Sequence, residues 1–143
     1  MTNKRVVVLM GGASAEREVS LTSGAGVADA LESLGHRVTR IDMDRNLAEV
    51  LAQVKPDVVF NALHGTPGED GTVQGLMDLM GVRYTHSGLA TSVIAIDKEL
   101  TKQHLVPRGI RMPGGQVVPA AVKTRFAIAL SIARAEASRP EWV

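Results

Sequence analysis

Apolar residues occur along the chain in two alternating patterns, short continuous runs and longer stretches with helical spacing. The runs bounded by glycine, proline or polar residues predict strands, and the first and third read as strands buried on both faces. The stretches with apolar residues three and four positions apart predict amphipathic helices. The predicted strands are residues 6–10, 37–43, 57–63 and 82–85. The first predicted helix is capped by Ser14 and ends at residue 34. The other predicted helices are residues 47–54, 73–80, 90–96 and 98–105.

This alternation of strands and helices predicts an α/β fold. Successive βαβ units with right-handed crossovers give a parallel sheet covered by helices on both faces, which is a three-layer, Rossmann-like arrangement. Ligands of such sheets bind beyond the carboxyl ends of the strands. The loops at residues 11–14 and 64–71 follow the first and third strands, so we expect both to lie on that edge.

Three features of these loops are candidates for chemistry. Gly11 and Gly12 form either an ordinary tight turn or a close backbone approach to an anion at a helix N-terminus. Glu16, in the predicted first helical turn, either complements the helix dipole or holds a ligand ammonium. His64 ends the third strand, where it is either a hydrogen-bonded rim residue or a ligand contact. No pair of histidines has metal-ligand spacing, so no metal site is predicted.

Two later segments are weaker candidates. In residues 67–75, Thr72 is expected to cap a helix while Glu69 and Asp70 are solvated, although a loop this polar also suits a pocket wall. Lys98 opens a helix against the dipole and requires an anion. That anion is either a neighbouring carboxylate or a nucleotide phosphate.

Composition excludes several classes of function. A formal net charge of +1 without charge blocks, and 3% aromatic residues, argue against a nucleic-acid surface. The absence of cysteine excludes disulfides and thiolate chemistry. The first apolar run is too short for a signal peptide or a membrane span, so a cytoplasmic protein without membrane contact is expected. Asp42 superficially suits the ribose acceptor of a dinucleotide-binding module, but the glycine fingerprint G-x-G-x-x-G is absent.

Three segments together resemble the N-terminal part of the D-alanine–D-alanine ligases, which are ATP-grasp enzymes. They are VVLMGGASAEREVSLTSG, NALHGTPGEDGTVQGLMDLMGVRYTHSG and SVIAIDKELTKQHLVPRGIRMP. The resemblance implies a Rossmann-like (pre-ATP-grasp) domain over residues 1–113. It also implies a homodimer that forms the D-alanyl-D-alanine dipeptide for peptidoglycan in the cytoplasm. In that reaction ATP, with Mg²⁺, phosphorylates the carboxylate of one D-alanine, and the amine of a second attacks the acyl phosphate.

The resemblance also implies roles for particular residues. Glu16 falls on the catalytic glutamate that binds the ammonium of the first D-alanine. Val19, Ser20 and His64 fall on positions that face this substrate, and Lys98 on a contact to the ATP phosphates.

Residues 114–143 are a separate tail, of which the part after about residue 118 does not follow the family pattern well. We expect them to be a divergent start of a missing ATP-grasp domain in a truncated or frameshifted product, with one helix at 124–137. The main ATP and Mg²⁺ ligands of the family are then outside this chain. The competing hypothesis is a non-catalytic α/β domain that binds a small ligand or a partner subunit.

Overall fold

The structure is a computed structural model that describes residues 3–115 and 117. Its strands are β1 (Arg5–Met10), β2 (Arg37–Asp42) and β3 (Val58–Asn61). Its helices are α1 (Arg17–Ser33), α2 (Leu47–Val54), α3 (Thr72–Leu79), α4 (Leu89–Ile96) and α5 (Lys98–Leu105), followed by a 3-10 turn at Val106–Arg108. The predicted tail helix at 124–137 lies outside the described residues.

The three strands form one parallel sheet in the order β2-β1-β3. Because β1 is central, it is buried on both faces, which explains its continuous apolar run. Val7 and Leu9 point into a cluster with α2 and α3, and Val8 and Met10 point into a second cluster with α1. Helices therefore cover both faces, and the predicted three-layer α/β fold is confirmed.

Several local predictions differ from the structure. The segment at 82–85 is not a full strand but forms a single parallel bridge between Val59 and Tyr84. Helix α1 begins at Arg17, so Ser14 does not cap it. Instead, Ser14 Oγ accepts a hydrogen bond from the backbone N–H of Glu16 at 3.2 Å. Thr72 is likewise the first residue of α3 rather than its cap.

The chain divides into two compact units, residues 1–96 and 97–143. The sheet with α1 to α4 belongs to the first unit, and α5 with the 3-10 turn belongs to the second. The predicted domain boundary after residue 113 stays a prediction.

Candidate functional site

The loop after β1 is held in place by its backbone conformation and by Ser20. Gly11 and Gly12 both adopt positive φ angles, 72° and 80°, which favour glycine. The Gly11 N–H donates to Ser20 Oγ at 2.8 Å, and the Ser20 hydroxyl donates to the Ala62 carbonyl at 2.8 Å. Ser20 is fully buried, so its side chain ties the β1 loop to the end of β3.

An ion pair between Arg17 and Asp42 also holds the loop after β1. The guanidinium of Arg17 donates to both carboxylate oxygens of Asp42, at 2.6 and 2.5 Å, and also to the Gly12 carbonyl at 3.1 Å. The Gly12 N–H donates to Asp42 Oδ1 at 3.3 Å. These bonds from Arg17 and Gly12 lower the pKa of the Asp42 carboxyl, and the bond to Asp42 raises the pKa of Arg17. Because Asp42 is engaged in this way, it is not a free acceptor for a ribose.

The lowered pKa of Asp42 makes a pH-dependent contribution to stability. A carboxyl whose folded pKa lies below its unfolded value, about 3.9, stabilises the fold above that pH and loses the contribution as the pH falls through the folded pKa. Arg17→Met should raise the NMR titration midpoint of Asp42 toward its ordinary range, since the weaker effect of the Gly12 N–H remains. The stability advantage of the unmodified chain over this variant should be small, since the pair is solvent-exposed, and should shrink below about pH 4. An unchanged midpoint would show that Arg17 does not perturb Asp42.

The loop after β3 is fixed by three side chains. The side-chain amides of Asn61 and Gln74 both donate to the Gly68 carbonyl, at 2.9 and 2.8 Å, and both residues are buried. Glu69 Oε2 accepts a hydrogen bond from the Gly65 N–H at 2.7 Å, so Glu69 is not solvated as expected. Sequence reasoning missed these contacts, and the spacing of polar residues carries no signal for them.

The two loops meet at Glu16 and Gly65. A Cβ atom built on Gly65 would lie 3.3 Å from Glu16 Oε2 and 3.5 Å from Ser14 Cβ, so the Glu16 carboxylate lies directly against the Gly65 backbone. Glu16 is exposed, and its carboxylate accepts no hydrogen bond from the described residues. His64, the residue before Gly65, is half-buried, and its imidazole also has no hydrogen-bond partner among the residues described. A free carboxylate and a free imidazole are therefore placed at the carboxyl edge of the sheet.

The other predicted site residues have different surroundings. Val19 lies on the exposed side of α1, with 55% of its surface accessible. Ser20, the next residue, lies on the buried face of the helix, is inaccessible and has both backbone partners described above. Its burial has a sequence signal in hindsight, because the small residues Ser20, Gly24 and Ala28 recur every four positions along the face of α1 that packs on the sheet.

The second unit carries Lys98. Asp97 Oδ1 accepts hydrogen bonds from the N–H groups of Glu99 and Leu100, at 2.9 and 3.0 Å, so Asp97 caps α5. The Lys98 ammonium is exposed and has no ion-pair partner in the described part of the chain. Lys98 and Lys102, one helical turn apart, line a cavity of about 330 Å³ together with Glu99, Gly114 and Gly115, so two ammonium groups face one carboxylate there. This arrangement suits an anionic group.

A metal centre has no support in the same residues. Among the described residues, no three histidine, aspartate or glutamate side chains come together as they would around a metal ion. The resemblance noted above implies Mg²⁺, and no such group of ligands is found for it in the part of the chain that the structure describes. No helix in the described part of the chain has the length and apolar character needed to cross a bilayer.

Known proteins share both the sequence and the architecture. A D-alanine–D-alanine ligase of Rhizorhabdus wittichii is 81% identical over 113 residues, which are 79% of this chain and 36% of that protein. A D-alanine–D-alanine ligase B of Brucella suis is 51% identical over 128 residues. The family model described as the D-ala D-ala ligase N-terminus matches residues 46–87. The matched region is therefore similar to the N-terminal part of D-alanine–D-alanine ligases.

A solved ligase structure has a similar architecture. The Bacillus anthracis D-alanine–D-alanine ligase in complex with ATP superposes with a TM-score of 0.72 at 31% identity. The match covers 86% of this chain and 42% of that one. The chain therefore spans between a third and a half of the length of the ligases that it matches.

Proposed function

We propose that this chain supplies the D-alanine-binding part of an ATP-dependent D-alanine–D-alanine ligase of peptidoglycan synthesis. The observation that carries the proposal is the free Glu16 carboxylate next to Gly65, whose preceding residue, His64, has a free imidazole. A zwitterionic amino acid needs an anionic group for its ammonium and a donor for its carboxylate, and Glu16 and His64 are groups of these two kinds.

We assign the roles in the proposed site as follows. Glu16 accepts hydrogen bonds from the ammonium of the first D-alanine. His64 contacts the same substrate near its carboxylate, and the exposed side chain of Val19 bounds the site on α1. Ser20 does not contact the substrate in this assignment. Its buried hydroxyl supports the site, because it joins the loop that precedes Glu16 to the end of β3.

Lys98 is the proposed contact to ATP. Its exposed ammonium, near that of Lys102, supplies positive charge to a cavity with a glycine backbone, which suits a phosphate. ATP, when bound, supplies the phosphoryl group that activates the substrate carboxylate for attack by the second amine. No three histidine, aspartate or glutamate side chains come together as Mg²⁺ ligands in the described ranges.

The assembly and location follow from the resemblance. We propose a homodimer that acts in the cytoplasm, where ATP is available, with D-alanine as its substrate and without nucleic-acid or membrane partners. Sedimentation velocity on the active assembly measures its oligomeric state.

A chimera tests the function. In the Rhizorhabdus wittichii ligase, the 113 matched residues are replaced by residues 1–113 of this chain. The chimera should release phosphate from ATP only when D-alanine is present and should form the dipeptide, whereas L-alanine should not replace D-alanine. A folded chimera without this activity would favour a non-catalytic domain.

Lys98→Ala in the chimera tests the nucleotide contact. Loss of one ammonium that acts only on phosphate should raise the KM for ATP about tenfold and leave the KM for D-alanine within about twofold. Arg108→Ala, a charge change in the same unit, is the matched control, since the Arg108 guanidinium already donates to the His104 carbonyl. If Lys98→Ala raised both KM values equally, the lysine would not be specific for the nucleotide.

A further inference from the structure

The segment from Gly65 to Glu69 is closed on itself by two hydrogen bonds between its end residues. Glu69 Oε2 accepts from the Gly65 N–H at 2.7 Å, and the Glu69 N–H donates to the Gly65 carbonyl at 2.9 Å. The first bond involves a carboxylate and is therefore the stronger kind. Glu69 therefore binds both the N–H group and the carbonyl group of Gly65.

The far end of this segment is anchored to the core. The two buried amides of Asn61 and Gln74 converge on the Gly68 carbonyl, next to Glu69. A Cβ atom on Gly68 would lie 2.2 Å from Leu63 Cβ, so the segment packs tightly on the residue before His64. Because these bonds fix Gly68, they also fix the backbone of the next residue, Glu69. The bond from the Gly65 N–H to the Glu69 carboxylate then fixes Gly65 as well.

Gly65 is the residue against which Glu16 rests. Its φ angle of +65° suits glycine, and Glu16 Oε2 would contact any side chain placed there. The Gly65 backbone therefore sets the space available to the Glu16 carboxylate. It also sets the direction of the chain at His64, which is bonded directly to it.

We propose that Glu69 is a positioning residue for the D-alanine site, which acts by holding the Gly65 peptide in place beside Glu16 and His64. The inference rests on the proposed function, since it assigns Glu69 to the site of that substrate. The Glu69 carboxylate is engaged by the Gly65 N–H and does not itself contact the substrate. Glu69 affects substrate binding because it fixes the position of the Gly65 backbone. An uncharged hydrogen-bond acceptor of equal length at position 69 therefore preserves the effect.

Hydrogen exchange of the Gly65 amide in the full 143-residue chain tests the contact directly. Glu69→Ala removes the acceptor and should speed this exchange about tenfold or more. Glu69→Gln, which keeps an oxygen acceptor at the same reach, should stay within about threefold of the unmodified chain. Asp70→Asn is the matched control, because Asp70 accepts from the Thr72 N–H and not from Gly65. If Glu69→Ala fails to fold, Glu69→Asp carries the test, since it keeps the charge but shortens the reach.

Kinetics of the chimera test the consequence. Glu69→Ala should raise the KM for the first D-alanine roughly tenfold, with the KM for ATP unchanged, and Glu69→Gln should restore it. If Glu16→Gln impairs ligation and Glu69→Ala speeds Gly65 exchange without changing the KM for D-alanine, the positioning role is overturned and the proposed function stands. Unchanged Gly65 exchange in Glu69→Ala overturns the role by itself. An inactive chimera, or a Glu16→Gln variant with full activity, instead contradicts the proposed function.

Discussion

Glu16→Gln in the chimera is expected to remove nearly all D-alanine ligation while leaving the fold intact. The carboxylate accepts no hydrogen bond from the described residues, so its replacement breaks no hydrogen bond among them. Glutamine has nearly the same shape, and it still fits against Gly65. What it loses is the charge that holds a substrate ammonium, and a hydrogen bond to a charged group contributes about 1.5–3 kcal/mol. The expected fall in kcat/KM is therefore about 10- to 150-fold.

Glu18→Gln provides the matched comparison for this result. Glu18 is also exposed and lies two residues further along, in the first turn of α1, and no substrate role is assigned to it. It should change kcat/KM by no more than about twofold. Steady-state kinetics with D-alanine as the varied substrate, together with circular dichroism of both variants, make the measurement. Equal effects of the two substitutions would mean that Glu16 acts only through the general negative charge of this turn.

The sequence predicts the sheet and most helices because those elements follow from local patterns. Strand β1 is recognisable from its unbroken apolar run, and α2 and α5 begin and end where helical spacing and the Asp97 cap place them. The strand predicted at 82–85 is the element that the structure does not form in full. Its composition is strand-like, but it is bounded by Gly81 and His86, which both have positive φ angles. The backbone turns at these two positions, and only Tyr84 forms a bridge, to Val59.

The candidate site is only partly predictable, for a physical reason. Glu16 and His64 are detectable because each follows a predicted strand, and parallel strands end at one edge. Their supporting contacts join residues that the sequence does not relate. The Arg17–Asp42 pair spans 25 positions, and the Ser20–Ala62 bond spans 42. Such pairs form only once the register of α1 on the sheet is set, so a pattern of single residues does not predict them.

Glu69 is a second example of a contact that the sequence pattern does not predict, and here both partners lie in one loop. In the sequence it is one of two adjacent acidic residues between glycines, which is typical of a solvated turn. The structure separates the two residues by their partners, since Glu69 binds the Gly65 N–H while Asp70 binds the N–H of Thr72 at the start of α3. The composition of the loop carries no signal for which carboxylate takes which partner.

Gly68→Ala is expected to lower the stability of the chain by about 1–3 kcal/mol. The added Cβ atom would lie 2.2 Å from Leu63 Cβ and 3.2–3.3 Å from the Leu63 backbone. No rotamer change relieves a contact between a Cβ atom and the main chain, so the loop itself must shift. That shift would pull the Gly68 carbonyl away from the buried amides of Asn61 and Gln74, and leaving a buried polar group without its partner adds to the loss.

Gly26→Ala is the opposite case in the same chain and serves as the control. Gly26 lies on the exposed side of α1, and a Cβ atom there would meet nothing within 4 Å. Alanine is favoured over glycine in a helix interior, so this variant should gain about 0.5–1 kcal/mol. Urea denaturation followed by circular dichroism should give a lower midpoint for Gly68→Ala and a higher one for Gly26→Ala, with similar slopes. If both substitutions shifted the midpoint in the same direction, the tight packing of Gly68 on Leu63 would not be what determines its cost.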